Sequence, residues 1–101
     1  MGGGVTYIGK KSPTRYDQSA TVITLADVGR YIVPFCSANV DNALRAETSD
    51  VTITLIDNFT QTAGSTVLRG KLFEVVTTAP NQKIVGNHNS YMNGCFILKA
   101  D

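Results

Sequence analysis

The sequence predicts an all-β fold: a small antiparallel β-sandwich or barrel, with an extended N-terminal arm and at most one short helix. About seven or eight short stretches rich in β-branched and aromatic residues follow one another, separated by turn residues. The 101 residues suit a single domain. A parallel α/β sheet would need several crossover helices, and the chain has room for one short helix at most.

Residues 1–18 differ from the rest of the chain and predict a flexible or extended arm. Three consecutive glycines come first, and glycine loses the most backbone entropy on ordering. A short strand is possible at residues 5–8, and the arm either frays in solvent or orders on a neighbouring subunit. A basic arm that touches nucleic acid is a weaker alternative. The candidate contact residues of the arm are Tyr7, Lys10, Lys11, Arg15 and Tyr16.

Residues 19–101 are expected to form the single β domain. Residues 20–25 are mostly β-branched and predict a strand, and residues 27–30 predict a turn at Gly29. Residues 31–36 predict a second strand. Because Pro34 cannot donate to a ladder, we expect an edge or a bulge there. Residues 37–47 carry apolar residues at helical spacing, which predicts one or two helical turns or an ordered loop.

Residues 50–56 give the clearest strand signal. Val51, Ile53 and Leu55 alternate with other residues, so they are expected to face inward, and the threonines between them to face outward. Residues 57–65 predict a polar connection. Residues 66–78 predict a long strand with a bulge or bend at Gly70.

The last part of the chain predicts two more strands. Residues 79–82 predict a turn, residues 83–85 a strand, and residues 86–90 a polar loop or a break. The pair Asn93-Gly94 is typical of a type I′ hairpin turn. In residues 95–99, Phe96 lies on one face and Cys95 on the other, so both faces are apolar. This predicts a central strand or an edge that a partner covers.

Side chains that could carry chemistry are few and scattered. His88 is the only histidine and lies between two asparagines in a polar loop. Cys36 and Cys95 lie in apolar strand sequence, where burial lowers thiol reactivity, so we expect two buried thiols rather than a disulfide. No cysteine or carboxylate spacing matches a metal site. We therefore expect no catalytic residues, no cofactor, no metal and no small-molecule substrate.

The charge content is low. Only 17% of residues are charged, against roughly a quarter in ordinary soluble domains, and the formal net charge is +1. This balance argues against nucleic-acid binding through phosphates and against a polybasic membrane surface. No apolar run approaches the roughly 20 residues of a spanning helix, and no basic-then-apolar leader is visible. The expected location is a virion or the cytoplasm.

Two classes of function remain. The first is a non-enzymatic structural protein, a small subunit or decoration protein of a viral, phage-like particle, which assembles as a homo-oligomer or lattice through its sheet faces and its arm. The second is a stand-alone small β-barrel binding module or inhibitor that caps a host protein or holds a small ligand. The low content of charged residues and the scarcity of reactive side chains favour the first class.

Overall fold

The computed structural model describes residues 3–12, 22–86 and 94–101, which form eight β-strands and no helix. The strands are β1 (Val5–Lys11), β2 (Val22–Leu25), β3 (Gly29–Ala38), β4 (Leu44–Ala46), β5 (Val51–Ala63), β6 (Thr66–Thr77), β7 (Gln82–Gly86) and β8 (Gly94–Ala100). They build two antiparallel sheets, with orders β1-β8-β3-β6-β5 and β2-β7-β4. The all-β prediction is confirmed, and the sheets form an open sandwich rather than a closed barrel.

The hydrophobic core lies between the two sheets. Alternate residues of β3 are buried, because successive side chains of a strand point to opposite faces. The rings of Phe35 and Phe73 meet edge to face, with centroids 6.1 Å apart. The three-stranded sheet closes the core from the other side. Its main contributions are Ile23, Leu25, Leu44 and Ile84.

Hydrogen bonds close one end of this core. The hydroxyl of Thr77 accepts a bond from the Gly29 N–H at 3.1 Å and donates to the Asp27 carbonyl at 3.1 Å. The Tyr31 hydroxyl donates to the same carbonyl at 2.6 Å. Thr77 and Tyr31 are both buried, so these bonds satisfy polar groups that would otherwise be costly to bury.

After β3 the chain forms an ordered loop at residues 39–43, so the loop alternative for residues 37–47 holds only there, and residues 44–46 form the strand β4, which the sequence does not predict. Asn39 has φ +64°, and its side-chain oxygen accepts the Val67 N–H at 2.8 Å. The Ser37 hydroxyl donates to the Val40 carbonyl at 2.9 Å. Such local side-chain bonds compete with helix formation, so residues 39–43 are irregular and lead into β4 instead.

β5 and β6 form a hairpin that is longer than the sequence predicted. The expected connection at residues 57–65 is wrong, because β5 continues to Ala63 and the loop is only Gly64-Ser65. Gly64 has φ +61°, which two-residue hairpin loops require. The register shifts between Leu55 and Asp57, so the bulge lies at Ile56 of β5 and not at Gly70.

Pro34 lies in the centre of the five-stranded sheet, so the expected edge or bulge is wrong. β3 pairs with β6 without interruption, and its register with β8 is the same before and after Pro34. Only the pairings of Val33 and Pro34 with β8 are missing. Both would use the Pro34 N–H, which proline lacks. The sheet therefore tolerates this proline by losing ladder bonds locally.

β8 lies between β1 and β3, which confirms the expectation of a central strand. The hairpin turn expected at Asn93-Gly94 includes Asn93, which lies outside the described residues, so it stays a prediction. Gly94 itself begins β8.

Part of the expected N-terminal arm is a strand. β1 forms one edge of the five-stranded sheet, antiparallel to β8, with a register shift between Tyr7 and Gly9. The remainder of residues 1–18 beyond Ser12 lies outside the described residues. Across the three described ranges, no helix has the length and hydropathy to cross a bilayer.

Candidate docking face

The five-stranded sheet has an outer face that points away from the three-stranded sheet. The side chains on this face are those that alternate with the buried ones along β3, β6 and β8. Among the described residues, none packs over this face as a second layer. Its aromatic residues are largely exposed: Tyr7 by 56%, Phe59 by 58% and Phe96 by 54%.

One row of side chains crosses the outer face perpendicular to the strands. The strand registers place Lys10 beside Phe96, and Leu72 beside both Pro34 and Asp57. Phe96 lies opposite Pro34, because the β3–β8 register is continuous on either side of them. This central row, from β1 to β5, is Lys10, Phe96, Pro34, Leu72 and Asp57.

A groove of about 660 Å³ runs beside the central row. Phe59 and Phe96 line it from opposite sides, and Cys36 and Gly94 also line it. Cys36 pairs with Gly94 in the β3–β8 register, so the two form a stretch with small side chains between the two rings. The outer face therefore combines projecting aromatic rings with a hollow.

The ring of Phe59 lies directly on Gly70. The two residues are paired across β5 and β6, and a Cβ atom at position 70 would lie 2.0 Å from the Phe59 Cε2 atom. Real carbon contacts are about 3.5–4.0 Å. Gly70 is thus needed for close approach of the ring, and not for the bend that the sequence predicted.

The charges of the outer face are placed at its edges or paired. The Arg30 guanidinium contacts the Glu74 carboxylate at 2.6 Å. Lys10 and Asp57 lie at opposite ends of the central row, on the edge strands β1 and β5. Within the described part of the chain neither forms a salt bridge. The face therefore has an apolar centre with a cation at one edge and an anion at the other.

The candidate arm residues do not form one cluster. Tyr7 and Lys10 lie on the outer face, and the Tyr7 ring is 6.4 Å from the Phe96 ring, centroid to centroid. Lys11 pairs with Cys95 and so lies on the opposite face of the sheet. Arg15 and Tyr16 lie outside the described residues.

The two cysteines are free, and a disulfide between them is excluded by the pleat. Cys95 pairs with Phe35 on the inner face, whereas Cys36 points to the outer face. Burial raises the pKa of the Cys95 thiol from 9.0 to about 11, which disfavours its nucleophilic thiolate form. His88 lies outside the described residues. In the part of the chain that the structure describes, no three His, Cys, Asp or Glu side chains form a group that could hold a metal ion.

An ion pair fixes the loop after β3 to the inner side of β6. The Lys71 ammonium contacts the Asp41 carboxylate at 2.8 Å, and this bond holds the pKa of Asp41 below its usual value. Asp41 is well exposed, so the pair positions the loop and contributes little to stability.

Sequence reasoning missed the contribution of β5 to this face. The sequence predicts a polar connection around Phe59 and a bulge or bend at Gly70. A signal existed: a two-residue turn at Gly64-Ser65 would by itself set the register that places Phe59 opposite Gly70.

Comparisons with protein-family models, with curated proteins and with solved structures found no match. What the outer face binds is therefore inferred from its own residues and their arrangement.

Proposed function

We propose that this protein is a non-enzymatic structural subunit that assembles through the outer face of its five-stranded sheet. The observation that carries the proposal is the face itself: three aromatic residues on it are each more than half exposed, and two of them, Phe59 and Phe96, line a groove of about 660 Å³. Contiguous apolar patches of this kind on soluble proteins mark interaction sites, because water contact with apolar surface is unfavourable.

The dimensions of the face support a specific interface. Five strands at about 4.8 Å spacing are about 24 Å wide, and the ten residues of β3 rise about 33 Å. The product, about 800 Å², matches the area that each partner buries in a standard interface. The face is thus as large as the surface that one partner buries in a standard interface.

We further propose that the assembly is a viral, phage-like particle, in which this chain is a small coat or decoration subunit. The low charge content and the mild, threonine-rich β5 support this assignment, as does an N-terminal strand at the sheet edge whose Tyr7 and Lys10 face the docking side. In this proposal, the segment that contains Lys11, Arg15 and Tyr16 adds contacts to neighbouring subunits.

The test is self-association of the purified protein. Sedimentation velocity and negative-stain images over a concentration series should show oligomers for the wild type. Phe96→Ser should dissociate them, whereas Val28→Ser should not. Val28 is a matched control because it is 52% exposed but lies in the β2–β3 connection, away from the outer face. A monomer at all concentrations, or equal effects of both substitutions, would contradict the proposal.

The groove also favours a second candidate, the stand-alone binding module. Its volume lies within the roughly 300–1,000 Å³ typical of ligand sites, and its lining is mainly apolar. This candidate predicts a monodisperse monomer whose Cys36 becomes protected only when a ligand or host protein is added. The concentration series therefore separates the two candidates.

A further inference from the structure

We infer that the occupant of the outer face is a second copy of this chain, related by a two-fold axis that lies over β3 and runs parallel to it. This inference rests on the proposed function, since it names the partner of the same face. It adds which strands and which side chains of the two copies meet.

The position of β3 defines the possible arrangements. β3 is the middle strand of five, with β8 and β1 on one side and β6 and β5 on the other. When two copies of a sheet pack face to face with their strands aligned, the two-fold axis lies between them, close to the strand direction or across it. An axis along β3 places β1 over β5 of the second copy, and β8 over β6.

Charge decides between these two axes. With the axis along β3, Lys10 of each copy faces Asp57 of the other, because both residues lie in the central row two strands from β3. With an axis across the strands at the central row, Lys10 would face Lys10 and Asp57 would face Asp57. Facing like charges are destabilising. The axis along β3 also places Arg30 over Arg30 of the other copy, but Glu74 of the same copy pairs with each guanidinium at 2.6 Å, whereas Lys10 and Asp57 form no salt bridge within the described residues. The axis along β3 is therefore favoured.

The shape of the face agrees with the same axis. Phe59 and Cys36 lie in one row, in which the Phe59 ring covers Gly70 of β6. The axis places β6 of one copy over β8 of the other, so the ring faces Gly94, which has no side chain. Gly94 lines the groove. Each Phe59 ring thus enters the hollow of the other copy, and the pair of contacts is self-complementary.

The test is charge reversal with complementation. Lys10→Asp and Asp57→Lys should each weaken homodimerisation at least tenfold in sedimentation equilibrium, because each converts two attractive pairs into two repulsive ones. An equimolar mixture of the two variants should form a heterodimer with affinity within about threefold of wild type, since both facing pairs are then opposite in sign. The differences should shrink in about 1 M salt, where the Debye length is about 3 Å.

Matched controls carry the same charge changes elsewhere. Lys83→Asp and Asp50→Lys alter exposed residues outside the outer face and should leave the dimer unchanged. Asp57 accepts a hydrogen bond from the Asn58 N–H at 2.8 Å. Asp57→Asn keeps a side-chain oxygen that can accept this bond but removes the negative charge, so it tests the charge alone. It should weaken the dimer less than Asp57→Lys does. Circular dichroism checks that each variant is folded.

The outcomes separate the two proposals. Weakening by the single reversals with recovery in the mixture supports the axis along β3. If the mixture stays as weak as the single variants, or if the reversals have no effect while Phe96→Ser still dissociates the protein, the axis is wrong and the docking face stands. If the wild type does not self-associate, the inference and the proposed assembly of copies both fail.

Discussion

Gly70→Ala is the substitution whose effect the structure defines most sharply. An added Cβ atom would lie 2.0, 2.4 and 2.8 Å from three atoms of the Phe59 ring, and no other nearby atom is closer. The ring must therefore move by about 1.5 Å or more to reach an ordinary contact distance. Because the backbone of Phe59 is held in the β5–β6 ladder, the movement is a change of side-chain rotamer.

Two effects on the free energy of unfolding oppose each other. Phe59 is 58% exposed, so about two fifths of its surface is covered. Full burial of a phenylalanine is worth about 1.5–3 kcal/mol, so displacing the ring costs about 1 kcal/mol. Replacing a strand glycine by alanine gains roughly 0.5–1 kcal/mol through reduced entropy of the unfolded chain. The net effect of Gly70→Ala should therefore be close to zero.

A double-mutant cycle separates the cost of displacing the Phe59 ring from the gain of replacing glycine by alanine. In a Phe59→Ala background no ring is displaced, so Gly70→Ala should stabilise the fold by about 0.5–1 kcal/mol, with a coupling energy of about 1 kcal/mol. Urea unfolding at a protein concentration where the chain is monomeric measures all four corners. Equal effects of Gly70→Ala in both backgrounds would refute the placement of the ring on Gly70.

Further substitutions test the core. Thr77→Val removes the buried acceptor of the Gly29 N–H and should cost about 1–3 kcal/mol in urea unfolding, whereas the exposed neighbour Thr78→Val should change little. A cost below about 0.5 kcal/mol for Thr77→Val would contradict the role of that bond. The Cys95 pKa is raised to about 11 in the folded state, so folding favours the protonated thiol. The stability that this preference adds to the free energy of unfolding is fully present below pH 9 and is lost as the pH rises to 11. Over that range the wild type should lose about 2–3 kcal/mol more than Cys95→Ala does, and parallel pH profiles would argue against burial of the thiol. Phe73→Ala should cost about 3–5 kcal/mol, since this ring is only 4% exposed, and a small loss would mean that the sheets do not close over it.

The fold class could be predicted because strand periodicity is a local property. The alternation of Val51 and Ile53 with threonines is visible in the sequence, and both residues pack against the core. Leu55 continues the same alternation but is 47% exposed. Whether a given position of β5 is buried depends on whether the three-stranded sheet covers it. A local sequence pattern carries no information about that coverage.

The docking face could not be predicted because it depends on register between strands that are distant in sequence. Lys10 and Asp57 belong to one row only through four successive pairings across five strands. The rule that places proline at edges also failed at Pro34, because a central strand can lose one ladder bond when the flanking pairs hold its register. The sequence predicts Tyr7 and Lys10 as contact residues, but it does not indicate Phe96, which pairs with Lys10, or Leu72, which lies in the same row on β6.

Protection of Cys36 measures burial of the outer face most directly, because its side chain lies on that face, whereas Cys95 lies on the inner face and is buried. The rate of Cys36 modification by a maleimide should fall as the protein concentration rises, and Cys95 should remain unmodified throughout. Phe96→Ser should abolish the concentration dependence. If wild-type Cys36 reacts at the same rate in monomeric and associated protein, the outer face is not the assembly surface.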